Sequence, residues 1–411
     1  MTATEAPVNH DTPEEASFRA DVRKFLEANA KPKTERGPWT VVMHTTHEEA
    51  QQEFTEGVEW QRTRFDAGMV SFTYPKEYGG QGGEPWMERI YNEEATRYGS
   101  SSGFISASIA MLAPTLMQFG TDEQKLALLP PLFRGDDTYC QLFSEPGAGS
   151  DLASLGSRAV LDGDEWVVNG QKVWNSSAQF CDKGFMLVRT NPDVPKHKGI
   201  TMILVDMHAP GVEVRPLVQP TGASHFNEVF FEDVRVPVAN TLGPVDGGWA
   251  CARTVMLNES ALIGGSAANK TFPNLHTIAK QQGLTDDAVT RQGLAEVYVR
   301  EEVLGLLADR VMTAVRRREK PPLDPSAIKI SVADNKAFFA DFAAEMLGPA
   351  ALVDDSDIQH WVINEVVGRY TVSIGGGTTE VQKNNLAERQ LGLPKEPGPG
   401  KDTAWSDLPK S

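Results

Sequence analysis

Two polar stretches carry residue types that could hold a flat ligand. Residues 141–151 read QLFSEPGAGSD and residues 172–177 read KVWNSS. Gly147 and Gly149 remove side chains, so a planar molecule can approach the backbone closely. Ser144, Ser150, Ser176 and Ser177 add hydroxyls that donate or accept, and Trp174 offers a large ring. Loop amides, hydroxyls and an indole suit a planar, hydrogen-bonding cofactor. The same residues also fit an ordinary turn beside a buried Trp.

The elements that must position these residues change character twice along the chain. Helical spacing of Phe18, Val22, Phe25 and Leu26 predicts a helix over 18–30, ended near Pro32. Further helices are predicted over 48–67, 85–98, 102–118 and 123–133, with the punctuated run PKEYGGQGG at 75–83 between two of them. From residue 139 to about 244 the sequence turns β-branched, alternating and rich in turns, with hairpin signals at Asp162-Gly163 and Asn169-Gly170. Helical spacing returns over 248–282, 286–317, 326–347, 358–374 and 379–389, the pattern of a bundle. The expected fold is α+β and multidomain. It has an N-terminal all-α domain (1–137), a middle antiparallel β-barrel domain (138–245), a C-terminal four-helix bundle (246–393) and an extended tail (394–411).

Composition narrows the function classes. The chain has 411 residues, ample for a real core. A net charge of −17 argues against a nucleic-acid binder, which shows a basic face. A polyanionic substrate would have to be met by a local basic patch. The cysteines, Cys140, Cys181 and Cys251, are odd in number and widely spaced, which predicts neither a disulfide framework nor a metal site. The first residues are acidic without an apolar core, so no signal peptide is expected, and no run approaches the ~20 apolar residues of a membrane span. A cytoplasmic protein is expected.

Five motifs in order resemble the acyl-CoA dehydrogenase family. SEPGAGSD followed by DGDEWVVNGQKVWNSSA is similar to its flavin-binding signature. PKEYGGQGG at 75–83, FGTDEQK at 119–125, FNEVFFEDVRVP at 226–237 and GTTEVQKNNLAERQLG at 377–392 match its other landmarks. The resemblance spans nearly the whole chain. It implies bound FAD and introduction of a Cα–Cβ double bond into an acyl-CoA thioester, with FAD N5 as hydride acceptor and an electron-transfer flavoprotein as the next acceptor. It implies a place in β-oxidation of fatty acids or sterol side chains. By position it implies FAD contacts at Gln141, Phe143, Ser144, Gly149, Ser150, Trp174, Ser176, Thr378 and Glu380, with Ser150 also touching substrate.

An α-proton beside a thioester is weakly acidic, so a carboxylate base must sit against it in a dry site. The commoner family position for that base is a Glu directly before the Gly-Thr of the last motif. Gly376 stands there and cannot take a proton. The second family position, about ten residues past a Gly-Trp, falls on Glu259. Glu259 is therefore the expected base and substrate contact. Its neighbours Met256, Leu257, Ala261, Leu262 and Ile263 would raise its pKa by desolvation. Its bland alternative is a solvated Glu on a helix surface. The Gly376 N–H remains available as a donor to the thioester oxygen.

Two departures from the family bear on partners. The Arg-x-x-Phe-Gly motif that reaches a neighbouring subunit's FAD is absent, and Gly-Gly-x-Gly is reduced to Leu347-Gly348-Pro349-Ala350. A hetero-oligomer with a related subunit is expected on that ground. A homodimer in which another basic residue, such as Lys280 or Arg291, replaces the missing Arg is the alternative. Other readings on the same fold are an acyl-CoA oxidase, a flavin monooxygenase, or a non-catalytic subunit of a heteromeric dehydrogenase.

Overall fold

A computed structural model of the chain describes residues 11–33, 39, 46–265, 270–317, 319–353, 355–395, 397 and 402–409. The chain divides into two compact units. One comprises residues 1–35, 52–109 and 120–138, and the other residues 36–51, 110–119 and 139–411.

The first unit is helical: α1 (Pro13–Asn29), most of α2 (His47–Asp66), α3 (Pro85–Ala95), the start of α4 (Gly103–Phe119) and α5 (Asp122–Arg134). Thr12 and Glu15 form a capping box that starts α1, and Thr121 with Gln124 does the same for α5. Val22, Phe25 and Leu26 of α1 pack with Trp60, Phe72, Ile90 and Tyr91 in one core. The expected helix at 18–30 thus begins earlier, at a Pro suited to a first helical turn. Gly80 lets the 75–83 loop close on itself, since a Cβ there would lie 2.2 Å from the Tyr74 carbonyl oxygen.

The second unit holds the sheet and the C-terminal helices. The strands are β1 (Tyr139–Leu142), β2 (Arg158–Asp162), β3 (Glu165–Val173), β4 (Lys183–Arg189), β5 (Ile200–Asp206), β6 (Val212–Leu217), β7 (Phe226–Pro237) and β8 (Thr241–Leu242). Their order is β6-β7-β3-β2-β4-β5-β8, with β1 paired to β4. Pairing is mainly antiparallel, while β1–β4 and a single residue pair of β2–β4 are parallel. Asp162-Gly163 makes the expected tight turn, with Asp162 opposite Glu165. Asn169-Gly170 does not: β3 runs through it, and its register against β7 shifts between Val168 and Gly170. The glycine permits close approach instead, because a Cβ there would meet Ser157 Oγ at 2.3 Å.

The helices that follow are α6 (Gly248–Gly265), α7 (Phe272–Gln281), α8 (Ala288–Arg316), α9 (Pro325–Leu347), α10 (Asp357–Gly368), α11 (Tyr370–Ile374) and α12 (Thr379–Asn385). Two expected helices are divided. The one over 248–282 becomes α6 and α7, with Pro273 at the start of α7 and residues 266–269 outside the described residues. The one over 358–374 becomes α10 and α11. Leu275, Ile278, Val297, Phe339, Phe342, Ala343 and Val362 close a core among α7 to α10. Near the end of the chain, Ala404 bridges Pro195, and the Trp405 and Ser406 N–H groups donate to Val194 O and Pro192 O (2.9 Å each). The Trp405 indole donates to Ser154 O (3.1 Å) and lies 4.8 Å from the Arg189 guanidinium.

Candidate active site

The 141–151 loop leaves β1 and is pinned from beneath by one carboxylate. Glu145 accepts from the N–H groups of Gly156 (2.7 Å) and Ser157 (2.9 Å) and from Lys172 Nζ (2.7 Å). Lys172 is fully buried on β3 and also donates to Phe143 O (3.1 Å). Burial alone would raise the Glu145 carboxyl, but the Lys172 charge and these hydrogen bonds hold it below the ordinary carboxylate value.

The second stretch is stitched alongside. Val173 N–H donates to Ser144 O (2.9 Å), and Asn175 Nδ2 donates to Gln141 O (2.7 Å). Asn227 binds the Asn175 backbone in both directions, and Ser177 N–H reaches His225 O. This holds Trp174 at a positive φ of 65°, with its indole 60% exposed and edge-on to Phe226 at 5.9 Å. Trp174 is therefore not a buried core ring, the alternative left open by its sequence. Gly149 and Ser150 are exposed, and Ser144 and Ser176 are half-buried. Phe143 is different: its ring is buried against Phe185, so only its backbone faces the loop.

Glu259 sits on α6 and is half-buried. Burial pushes its carboxyl above the ordinary value, opposed by a hydrogen bond from the Gln141 side chain and by the charge of Lys329. Leu257, expected to border it, is exposed, and the side chains of Ala261, Leu262 and Ile263 lie outside the described residues. Lys329, on α9, donates from Nζ to the carbonyls of Val372 and Gly377 (3.2 Å for Gly377). Gly376 and Gly377 take φ of 65° and 85°, and Gly376 O accepts from Gln382 Nε2 (2.9 Å). Thr378 caps α12 by accepting from Val381 N–H (3.2 Å), and Glu380 is exposed on its first turn.

Gln141 thus meets Glu259 by a side-chain hydrogen bond, and Lys329, whose charge lowers the Glu259 carboxyl, holds carbonyls at the turn that contains Gly376. Lys329, Lys172, Glu145, Asn175 and Asn227 were missed by sequence reading. A single Lys in a helix or strand carries no local signal of the partner it meets.

All three segments match family models. The acyl-CoA dehydrogenase N-terminal domain matches residues 12–136, the middle domain residues 140–234 and the C-terminal domain residues 246–391. The chain is 34% identical over 392 residues to the acyl-CoA dehydrogenase IpdE1 of Mycobacterium tuberculosis, covering 92% of this chain and 98% of that protein. The chain belongs to the acyl-CoA dehydrogenase family. It is an acyl-CoA dehydrogenase of a family of flavoproteins. Among solved structures, the Tcur3481–Tcur3483 steroid acyl-CoA dehydrogenase (ACAD) superimposes with a TM-score of 0.73 at 27% identity, over 94% of this chain and 99% of that one. The ChsE4–ChsE5 complex of Mycobacterium tuberculosis gives 0.70 at 30% identity, over 95% and 100%.

The residues fit a flavin. An exposed indole, half-buried hydroxyls and an exposed Gly149-Ser150 backbone lie on two stretches joined by the Val173–Ser144 and Asn175–Gln141 hydrogen bonds. The Asn175 Oδ1 beside them is buried without a hydrogen-bond partner among the described residues. No helix among the described residues is long and apolar enough to cross a membrane.

Proposed function

We propose that this acyl-CoA dehydrogenase uses Glu259 to take the α-proton of an acyl-CoA thioester. The observation that carries the reading is the placement of Glu259: half-buried, bound by Gln141 and facing the charge of Lys329, which also holds the turn around Gly376. A carboxyl raised by burial is a stronger base when ionised than a solvated one, which suits removal of a weakly acidic proton. The Gly376 N–H donates to the thioester carbonyl oxygen and stabilises the charge that builds there. FAD, when bound, supplies the acceptor for the hydride leaving Cβ. Ser144, Gly149, Ser150, Trp174 and Ser176 hold it, with Gln141, Thr378 and Glu380 at the margins and Phe143 contributing backbone only. Ser150 also meets the substrate. An electron-transfer flavoprotein is the proposed onward acceptor.

The chain works beside a related, non-identical subunit. Two observations support this. The structural relatives named above are titled as pairs of chains. Val299, Val303 and Leu306 also leave an exposed apolar stripe on α8, a face suited to another helix. The steroid ACAD title makes a bulky, sterol-derived acyl group the proposed substrate class.

The decisive experiment is Glu259→Gln in the FAD-loaded protein. Dehydrogenation should fall by at least ~10²–10⁴-fold while folding and FAD content persist. Near-normal turnover would remove Glu259 from the mechanism.

A further inference from the structure

The stretch that carries Trp174 and Ser176 has a shape its own residues do not favour. The β3–β7 ladder runs as far as Val173 opposite Glu228. Extended backbone would carry the next residues on along β7. Instead Trp174 takes a φ of 65° and Ser177 a φ of 55°. These are left-handed conformations that residues with a Cβ rarely adopt. Three consecutive residues where β7 begins hold the chain there. His225 O accepts from Ser177 N–H (2.9 Å), the Phe226 ring meets the Trp174 indole edge-on, and Asn227 O accepts from Asn175 N–H (3.1 Å). Asn227 adds its side chain, with Nδ2 donating to Asn175 O (2.8 Å) and to Gln179 Oε1. Asn175 passes the restraint on, its own Nδ2 donating to Gln141 O (2.7 Å) on the other stretch.

Both Asn side chains are buried, and the Oδ1 of each lacks a hydrogen-bond partner among the described residues. A buried acceptor left unpaired is costly, and so is a left-handed Trp. Neither feature serves stability. Costs of this kind persist where the surroundings impose a shape that a ligand needs. We propose that Asn175 and Asn227 are positioning residues that hold residues 174–177 in a strained shape, presenting Trp174 and Ser176 to the flavin before it arrives. This rests on the reading of the two stretches as the flavin site. A loop already in its bound shape loses less freedom when the ligand binds. Removing the lock should therefore show in FAD affinity and not only in stability.

Hydrogen exchange of the Asn175 and Ser177 amides, in the full-length protein with and without FAD, reads the lock, and FAD titration reads its consequence. In the wild type both amides should be protected without flavin. Asn227→Ala removes two donated bonds. Without flavin it should speed exchange at those amides at least about tenfold and leave the amides of β4 and β5 unchanged. It should also raise the FAD Kd about tenfold, the equivalent of one or two lost hydrogen bonds. Saturating FAD should restore the protection. Fast exchange in the flavin-free wild type would overturn the proposal, since no lock would then precede the ligand. An unchanged Kd would overturn it, as would faster exchange that β4 and β5 share, which is general loosening. If Asn227→Ala does not fold, Asn175→Ala decides. It keeps the backbone bonds to Asn227 and loses only the tie to Gln141 O, and it too should raise the Kd severalfold. An unchanged Kd there would overturn the proposal equally. A wild type that protects both amides yet binds no FAD would keep the lock and overturn the flavin reading beneath it.

Discussion

A carboxylate that acts as a base must first lose its own proton, and at Glu259 burial makes that harder. The rate should therefore fall as pH drops, with an acid limb above the ~4.3 of an ordinary Glu. A pH–rate profile of the FAD-loaded protein checks this, and a limb at or below that value would count against burial as the dominant influence. Trp174 makes a separate demand. Its indole is held out of the core, so Trp174→Ala should leave stability nearly unchanged and weaken FAD binding by about 1 kcal/mol, roughly fivefold in Kd. Fluorescence titration with FAD measures it, and unchanged affinity would mark the ring as a bystander. Both residues could be singled out as candidates in the sequence because each sits in a stretch with its own motif. Lys329 could not, since its meaning depends on carbonyls more than forty residues away. The role of Phe143 was half legible: the position was readable, but only packing on Phe185 shows that its ring turns inward.

At the level of elements, the flavin-loop candidate hangs on an ion pair between β3 and the loop. Removing one partner of such a pair leaves the other buried and uncompensated, so Lys172→Met should cost about 3–5 kcal/mol in unfolding free energy. The pH dependence has a definite sign. The Glu145 carboxyl is depressed in the folded protein, so its contribution is present above the ordinary Glu value of ~4.3 and lost as pH falls through the lower folded value. Denaturant unfolding between acid and neutral pH should show Lys172→Met losing most at neutral pH. An equal loss at every pH would separate the effect from Glu145. The change from helix to strand near residue 139 was readable from periodicity, as was the return near 248. Asn169-Gly170 misled because the same dipeptide serves a turn or a bulge, and only the continuing partner strand β7 distinguishes them. The separation of α6 from α7 and of α10 from α11 escaped the same periodicity, because apolar spacing alone does not mark where one helix gives way to the next.

For the whole molecule, the prediction concerns company. Expressed alone, the chain should give an unstable or FAD-poor assembly, and co-expression with a related subunit that keeps the Arg motif should give a defined complex with higher activity. Mass measurement and FAD per chain check this. A stable homo-oligomer with one FAD per chain and full activity would sink it. An exposed apolar stripe such as Val299, Val303 and Leu306 is a liability in isolation and an interface in a complex. The sequence hinted at this through a missing motif, but the stripe itself looks like any amphipathic helix until packing shows which face stays uncovered.

The Trp405 contact has a bearing on how the protein is made. Its indole meets Ser154 across 251 residues of chain, and the same ring covers Gly156, whose N–H holds Glu145. During synthesis the candidate cofactor loop emerges long before the residues that brace its far side. The brace that Trp405 lays on Ser154 and Gly156 can close only after the entire helical bundle has been translated.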